Sequence, residues 1–121
     1  MKILHIVPVY FPEGPGGIQL HVQDLVRAQA AAGHEPVVLS GSLATRPAPA
    51  LIEERVDGQR VLRLFRDDLH HLHHARGHHG GASALVRQVY QRERPDLVHV
   101  HQWIALSDDL VQQAEELGLP T

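Results

Sequence analysis

Lys2–Val7 (KILHIV) is followed by a loop rich in glycine and proline, Pro8–Gly17 (PVYFPEGPGG), and by an amphipathic segment, Ile18–Gly33 (IQLHVQDLVRAQAAAG). The first run is apolar almost throughout, which is typical of a strand covered by helices on both faces of a sheet. In the third segment apolar residues recur at helical spacing, and its final glycine is placed to end a helix. A second apolar run, Val37–Leu39, completes a right-handed βαβ unit. This stretch predicts an α/β fold built on a parallel sheet.

The glycine pair Gly16–Gly17 lies where the loop enters the helix, at the carboxyl end of the first strand. Parallel sheets bind ligands at this edge. Free backbone N–H groups at a helix start favour an anion, and the lack of side chains lets a phosphate or a sugar come close. The loop lacks the dinucleotide fingerprint, because Gln19 occupies the third glycine position, and no P-loop lysine follows. The alternative interpretation is that the glycines only turn the chain.

Composition limits the classes of protein that need to be considered. The 121 residues, 43% hydrophobic and 21% charged, are typical of one globular domain. A formal net charge of −3 argues against nucleic acid as a partner. The sequence has no cysteine, which excludes disulfides and thiolate zinc sites and agrees with a cytoplasmic location. No apolar stretch approaches the roughly 20 residues of a membrane span.

The middle of the chain predicts a hairpin and a helix. Asp57-Gly58 lies between two alternating runs, which indicates a β-hairpin or a bent edge strand. Ala82–Arg94 carries an apolar stripe at helical spacing, and Pro95 limits its extent. Its arginines leave two interpretations open. A basic amphipathic helix can lie on an anionic membrane, but a core-facing stripe with solvated arginines is favoured.

Histidines are unusually abundant, and many of them fall in Asp67–Gly81. The tract contains His70, His71, His73, His74, His78 and His79. Neutral imidazoles are common metal ligands, so a metal site is one hypothesis. A flexible surface loop is the favoured one, because no carboxylate stands at fixed helical spacing. The metal-site hypothesis gives the alternative function. It is a metal-dependent hydrolase or a metal-binding module that uses this tract together with His99 and His101.

Asp96–His101 (DLVHVH) predicts a buried parallel strand with two histidines on one face. His99 is expected to be a core histidine with a hydrogen-bond partner. His101, at the carboxyl end, is expected to face the cleft of the glycine pair. A hydrolase site would need a third histidine or a carboxylate from another strand end, and His5 is expected inside its strand. A last helix over Leu106–Leu117 begins either at a Ser107–Asp109 cap or at Trp103.

The ordered set of motifs along the chain resembles the amino-terminal domain of glycosyltransferase family 4. The segments that carry the resemblance are Met1–Pro8, Tyr10–Pro12, Gly16–Val22, Gly33–Glu35, Arg94–His101 and Gly118–Thr121. The Gly-Gly-x-Gln-x-His-Val run is similar to the phosphatidylinositol mannosyltransferase branch. The resemblance implies a retaining, nucleotide-sugar-dependent enzyme of GT-B architecture. It also implies a Rossmann-like sheet with strand order 3-2-1-4.

Site residues follow from the resemblance position by position. Residues 1–121 are expected to form one acceptor-side domain. Gly16 and Gly17 would face the donor diphosphate, and Gln19, His101 and Gln102 would lie on the acceptor side. The family's nucleotide-binding Glu-x7-Glu motif and reaction-centre histidine have no counterpart in this sequence, so no catalytic residue is assigned.

The resemblance also implies that the chain is truncated. The carboxy-terminal nucleotide-sugar domain is absent from this sequence, and the fifth strand would follow Thr121. We therefore expect a fragment that is inactive alone and that exposes an unpaired sheet edge prone to self-association. Its substrates would be a nucleotide-sugar and an acceptor, with no metal cofactor. Its location would be the cytoplasm, where peripheral contact with the inner face of the membrane is allowed.

Overall fold

The computed structural model describes residues 1–14, 16–69 and 77–121. Strands and helices alternate, apart from one hairpin, which confirms the predicted α/β class. The strands are β1 (Lys2–Val7), β2 (Glu35–Ser40), β3 (Ala50–Val56), β4 (Gln59–Phe65) and β5 (Leu97–Val100). The helices are α1 (Gly17–Ala31), α2 (Gly80–Glu93) and α3 (Leu110–Glu116).

The five strands form one sheet in the order β3-β4-β2-β1-β5. The pairs β4–β2, β2–β1 and β1–β5 are parallel, and β3 joins β4 in antiparallel register as an edge strand. Without β3, the parallel strands have the predicted order 3-2-1-4. Asp57 and Gly58, both with positive φ, connect β3 to β4, which confirms the predicted hairpin.

The sheet is covered on both faces, as the apolar strands predict. On one face Val22 and Val26 of α1 pack against Val7, Val38 and Val61. On the other face α2 and α3 enclose the larger core, which includes Leu4, Ile6, Leu39, Leu62, Leu64, Val86, Val89, Tyr90, Leu110 and Ala114. The stripe of α2 is therefore core-facing, as the favoured interpretation held. No helix in the described ranges is both long and apolar enough to cross a membrane.

Helix ends follow their sequence signals with one exception. Gly33 adopts φ 89° after α1, and Arg94 adopts the left-handed conformation that ends α2 before Pro95. The last helix begins after Asp109, inside the predicted capping segment, so the alternative start at Trp103 is wrong. The reason is that Leu106 lies in a buried loop whose carbonyl oxygen accepts a hydrogen bond from Arg66 Nη1 at 3.0 Å.

Candidate functional site

The carboxyl ends of β1 and β5 bring the predicted site segments to one edge of the sheet. The two strands pair in parallel, with His5 opposite His99. The backbone N–H of His101 extends this pairing by donating to the Ile6 carbonyl at 2.9 Å. The loop that leaves β1 leads directly into α1 at Gly16 and Gly17. The predicted donor-side and acceptor-side segments therefore leave adjacent strands.

The first turn of α1 has the features of an open helix start. Gly16 is the N-cap residue in extended conformation, no side chain caps the helix, and the first turn has no acidic residue. A Cβ on Gly16 would lie 2.3 Å from Gln19 Oε1, because the buried Gln19 side chain packs over this glycine. A Cβ on Gly17 would meet nothing within 4 Å. Approach to the helix start is thus open at Gly17 and covered by Gln19 at Gly16.

Arg63 of β4 anchors the loop between β1 and α1, a role that the sequence pattern around it does not indicate. Its side chain is only 5% exposed. One guanidinium nitrogen, Nη1, donates to the Tyr10 carbonyl at 3.1 Å and to Glu13 Oε2 at 3.0 Å, and Nη2 donates to the Phe11 carbonyl at 2.6 Å. Nε donates to Glu54 Oε1 at 2.6 Å. These bonds fix the course of the loop before the glycine pair.

Glu13 completes the attachment of this loop by joining it to the segment after β2. Its Oε1 accepts from Ser42 Oγ at 2.7 Å and from the Leu43 N–H at 3.3 Å. Nearby, a Cβ on Gly41 would lie 2.6 Å from the Pro8 carbonyl oxygen and 3.0 Å from that of Ala105. Gly41 is therefore required for close contact between three loops at this edge. The surrounding sequence, a serine-rich loop, does not indicate that Gly41 is needed for this contact.

Imidazoles cluster where β1 and β5 end. His5 is fully buried, and its Nδ1 lies 3.1 Å from Nε2 of His101. The rings of His99 and His101 stack with centroids 3.9 Å apart, and His21 of α1 approaches His101 edge-on with centroids 6.0 Å apart. His101 therefore lies beside α1, one turn after Gly17. Gln102 follows it, half-buried.

The environment of this cluster favours neutral imidazoles. Burial, together with the neighbouring His99, His5 and His21, lowers the pKa of His101 to about 4. Burial also lowers the pKa of His5, although its hydrogen bond with Gln29 acts in the opposite direction. The rings of His5 and His101 are therefore neutral at pH 7 and offer lone pairs or N–H donors rather than charge.

One prediction about these histidines is wrong. His99 is exposed and is not a core histidine, because β5 lies at the edge of the sheet. His5 lies inside β1, as expected, yet its ring contacts those of His99 and His101. The reason is the parallel register, which places His5 directly opposite His99 on the same face.

The histidine tract lies partly outside the described residues, which exclude 70–76. Within the described part, His79 is a helix cap: its Nδ1 accepts from the Ala82 N–H at 3.0 Å, and its Nε2 lies 2.7 Å from Asp67 Oδ1. His78 contacts Asp108 at 3.4 Å, with both side chains about half exposed. The final histidine of the tract thus has a structural role at the start of α2.

Comparison with known proteins identifies the family. Residues 15–121 match the family model described as Glycosyltransferase Family 4. This chain belongs to glycosyltransferase family 4. The resemblance predicted from the motifs is therefore confirmed at the level of the family.

Two curated relatives of this family 4 chain share one name. Both are called glycogen synthase, from Mycobacterium tuberculosis strains CDC 1551 / Oshkosh and ATCC 25618 / H37Rv. Each is 32% identical to this chain over 125 residues, which cover 86% of this chain and 28% of the relative. The chain thus spans less than a third of the length of these relatives. The narrower assignment to the phosphatidylinositol mannosyltransferase branch stays a prediction.

Proposed function

We propose that this family 4 chain is the acceptor-side domain of a retaining glycosyltransferase, which transfers a sugar from a nucleotide-sugar to an acceptor without a metal cofactor. The observation that supports it best is the open start of α1 at the carboxyl edge of the sheet. Backbone N–H groups and the helix dipole favour a diphosphate there. The loop that leads to it is held by the buried Arg63, so the donor site is preorganised.

The acceptor side of this proposal rests on Gln19, His101 and Gln102. Gln19 covers Gly16, so its amide borders any ligand at the helix start. His101 is neutral at pH 7, and because its Nε2 is hydrogen-bonded to His5 Nδ1 at 3.1 Å, its Nδ1 is left to accept a hydrogen bond from a sugar hydroxyl. The cytoplasm is the proposed location, with peripheral contact at the inner face of the membrane. No catalytic residue of this chain is assigned.

Substitution of Gly17 tests the diphosphate site without damaging the fold. Gly17→Asp is expected to abolish the amide shift changes that uridine or guanosine diphosphate causes at residues 16–18 of the wild type. The new carboxylate would repel the phosphates, whereas it should leave the helix as stable or more stable by about 0.3–1 kcal/mol, because an acid in the first turn complements the dipole. Titration followed by NMR, together with thermal unfolding, measures both effects.

Gly80→Asp is the matched control, because Gly80 is the first residue of α2 and a Cβ there also meets nothing within 4 Å. This variant should bind the nucleotide as the wild type does. Equal losses in the two variants, or shift changes confined to residues far from the start of α1, would disprove the site.

The isolated chain of 121 residues is expected to transfer no sugar. Transfer requires the sugar–phosphate bond to be aligned with the acceptor across a cleft between two domains, and positioning supplies much of the rate enhancement. In this proposal the nucleotide is held mostly by a second domain, outside residues 1–121. Turnover of radiolabelled sugar nucleotides by purified chain is the measurement. Transfer above a heat-denatured control would contradict this division of labour.

Two acceptor classes compete within the proposal. The run Gly16–Val22 is similar to enzymes that mannosylate an inositol lipid, whereas the curated relatives are named for glycogen. Titration of the chain with soluble inositol phosphate and with maltooligosaccharide distinguishes them. Shift changes at His101 and Gln102 with only one of the two ligands would identify the acceptor.

We also propose self-association through the outer edge of β5. Within the described residues, β5 pairs with β1 alone, and on its other side the Val98 N–H donates to the Pro120 carbonyl at 2.8 Å. Leu97, Val100 and Val111 border a cavity of about 380 Å³ along this edge. Pro120 occupies one backbone donor of this edge, and the apolar side chains beside it favour contact with a second copy.

Light scattering is expected to show a concentration-dependent mass above that of the monomer. Val111→Lys should reduce it, because Val111 is 44% exposed beside the edge and a lysine would place charge there. Leu43→Lys is the matched control, since Leu43 is 63% exposed and follows β2, which β1 separates from β5 in the sheet. A monomer at all concentrations, or equal effects of the two substitutions, would refute the proposal.

A further inference from the structure

Three imidazoles from two adjacent strands converge at the carboxyl edge of the sheet, and glycosyl transfer as proposed above does not use them together. His5 comes from β1, and His99 and His101 come from β5 and the residue that follows it. One ring nitrogen of each lies within 4.8 Å of one ring nitrogen of each of the others. A cluster drawn from two strands in fixed register is held by the sheet itself rather than by a loop.

The geometry of the cluster suits a metal ion. Two imidazole nitrogens bound to one tetrahedral Zn²⁺ at about 2.0–2.1 Å stand about 3.3 Å apart. The pair His5 Nδ1 and His101 Nε2 is separated by 3.1 Å, close to that value. His99 has to approach further, and its exposed ring at the sheet edge can rotate to do so.

Gln29 of α1 orients the buried member of the cluster. Its Oε1 lies 2.7 Å from His5 Nε2, so that nitrogen carries the proton and donates it. The lone pair of His5 therefore sits on Nδ1, which is directed at His101. A ligand histidine whose second nitrogen donates to an oxygen acceptor is the arrangement found in metal sites. Gln29 is thus a positioning residue for His5.

We propose that His5, His99 and His101 bind one divalent transition-metal ion, for which Zn²⁺ is the probe, at the carboxyl edge between β1 and β5. Three protein ligands leave one coordination position for water or another ligand. In the metal-free protein the proton of His101 Nε2 occupies the place of the ion and bonds to His5 Nδ1. When metal binds, the proton of His101 moves from Nε2 to Nδ1, so that the neutral ring coordinates through Nε2. The bound metal would then cross-link the two strands, which stabilises the folded state.

The test uses the full chain in a background from which competing ligands of the tract are removed. In this background serine replaces His70, His71, His73, His74 and His78. One equivalent of Zn²⁺ should bind by calorimetry and raise the melting temperature. His99→Ala and His101→Ala should each weaken binding by on the order of tenfold or more, since both remove a direct ligand. His34→Ala is the matched control, because His34 is also exposed but lies beside the N-terminus.

Imidazole ¹⁵N NMR of the same background protein provides a readout that does not depend on the folding of any variant at the cluster. The resonances of His5 Nδ1, His99 and His101 should move together and saturate at one equivalent of zinc. The proposal is overturned if zinc fails to bind at micromolar concentration, if other histidines move instead, or if His99→Ala binds zinc as His34→Ala does. Each outcome concerns metal binding alone and is independent of glycosyl transfer.

Discussion

Replacing Arg63 with methionine is expected to lower the free energy of unfolding by about 3 kcal/mol, since it removes a buried cation from a network of carboxylates and carbonyls. The substitution leaves Glu13 and Glu54 without their shared partner and leaves the Tyr10 and Phe11 carbonyls without a donor. Buried acceptors that lose their donors cost more than the bond itself contributes. The loop before Gly16 loses its anchor at the same time.

Urea denaturation measures the loss in stability, and an unchanged slope would show that the folded state stays compact. The nucleoside-diphosphate titration measures the second effect, a weaker response at residues 16–18. Arg55→Met is the matched control on the neighbouring strand, because Arg55 is exposed and donates to the Gly58 carbonyl. It should stay within about 0.5 kcal/mol of the wild type. Similar losses for both arginines would mean that Arg63 does not anchor the loop.

Replacing Glu93 with glutamine is expected to lower the free energy of unfolding by a comparable amount. The Glu93 side chain is 3% exposed at the end of α2. Arg60 donates to both of its oxygens, at 2.5 and 3.0 Å, and Lys2 Nζ lies 3.1 Å away. This carboxylate therefore ties α2 to β4 and β1. Burial acts to raise the pKa of Glu93, but the hydrogen bonds from Arg60, Lys2 and Arg92 outweigh it and lower the pKa to about 2.

The lowered pKa of Glu93 predicts how the stability of the protein depends on pH. The ordinary pKa is 4.5, so between about 4.5 and about 2 the unfolded chain binds a proton at Glu93 that the folded chain does not. The stability that Glu93 contributes is complete above the upper value and is lost as the pH falls through the lower one. The shift corresponds to about 3 kcal/mol. Glu93→Gln should therefore flatten the fall in melting temperature over this range.

Glu116→Gln provides the matched control for Glu93. Glu116 also pairs with an arginine, Arg87, but its side chain is 48% exposed, and exposed ion pairs contribute about 0–1 kcal/mol. The melting temperature of this variant should fall between about pH 4.5 and about pH 2 as steeply as that of the wild type. If the melting temperature of Glu93→Gln falls equally steeply over this pH range, Glu93 does not stabilise the fold as predicted.

The fold could be predicted because its signals are local. The apolar run Lys2–Val7, the helical spacing after Gly17 and the Asp57-Gly58 turn each depend on neighbours in sequence, and all three reappear in the structure. The parallel order followed from the family resemblance and was confirmed. The diphosphate-binding role of Gly16 and Gly17 remains a prediction, although the structure places them at an open helix start.

The contacts that hold the candidate site together could not be predicted, because they join residues far apart in sequence. Arg63 meets Tyr10 across 53 positions, and His5 meets His101 across 96. An arginine in a strand of alternating pattern is normally expected to be solvent-exposed. The order of the strands in the sheet is what places Arg63 beneath the loop between β1 and α1. The exposure of His99 likewise depends on β5 being at the edge of the sheet. The strand order 3-2-1-4 implied that position, whereas the apolar pattern of Asp96–His101 by itself indicated a buried strand.

The unequal covering of the sheet has a consequence for motion. The core beneath α1 consists mainly of valine side chains, whereas the core beneath α2 and α3 is built from larger leucine, isoleucine and tyrosine side chains. A layer with less buried apolar area is the one in which local unfolding begins. The helix that carries the glycine pair can therefore open while the rest of the domain stays folded. A ligand bound at its first turn would slow hydrogen exchange along the whole helix, because it binds only the closed form and shifts the equilibrium away from the open one.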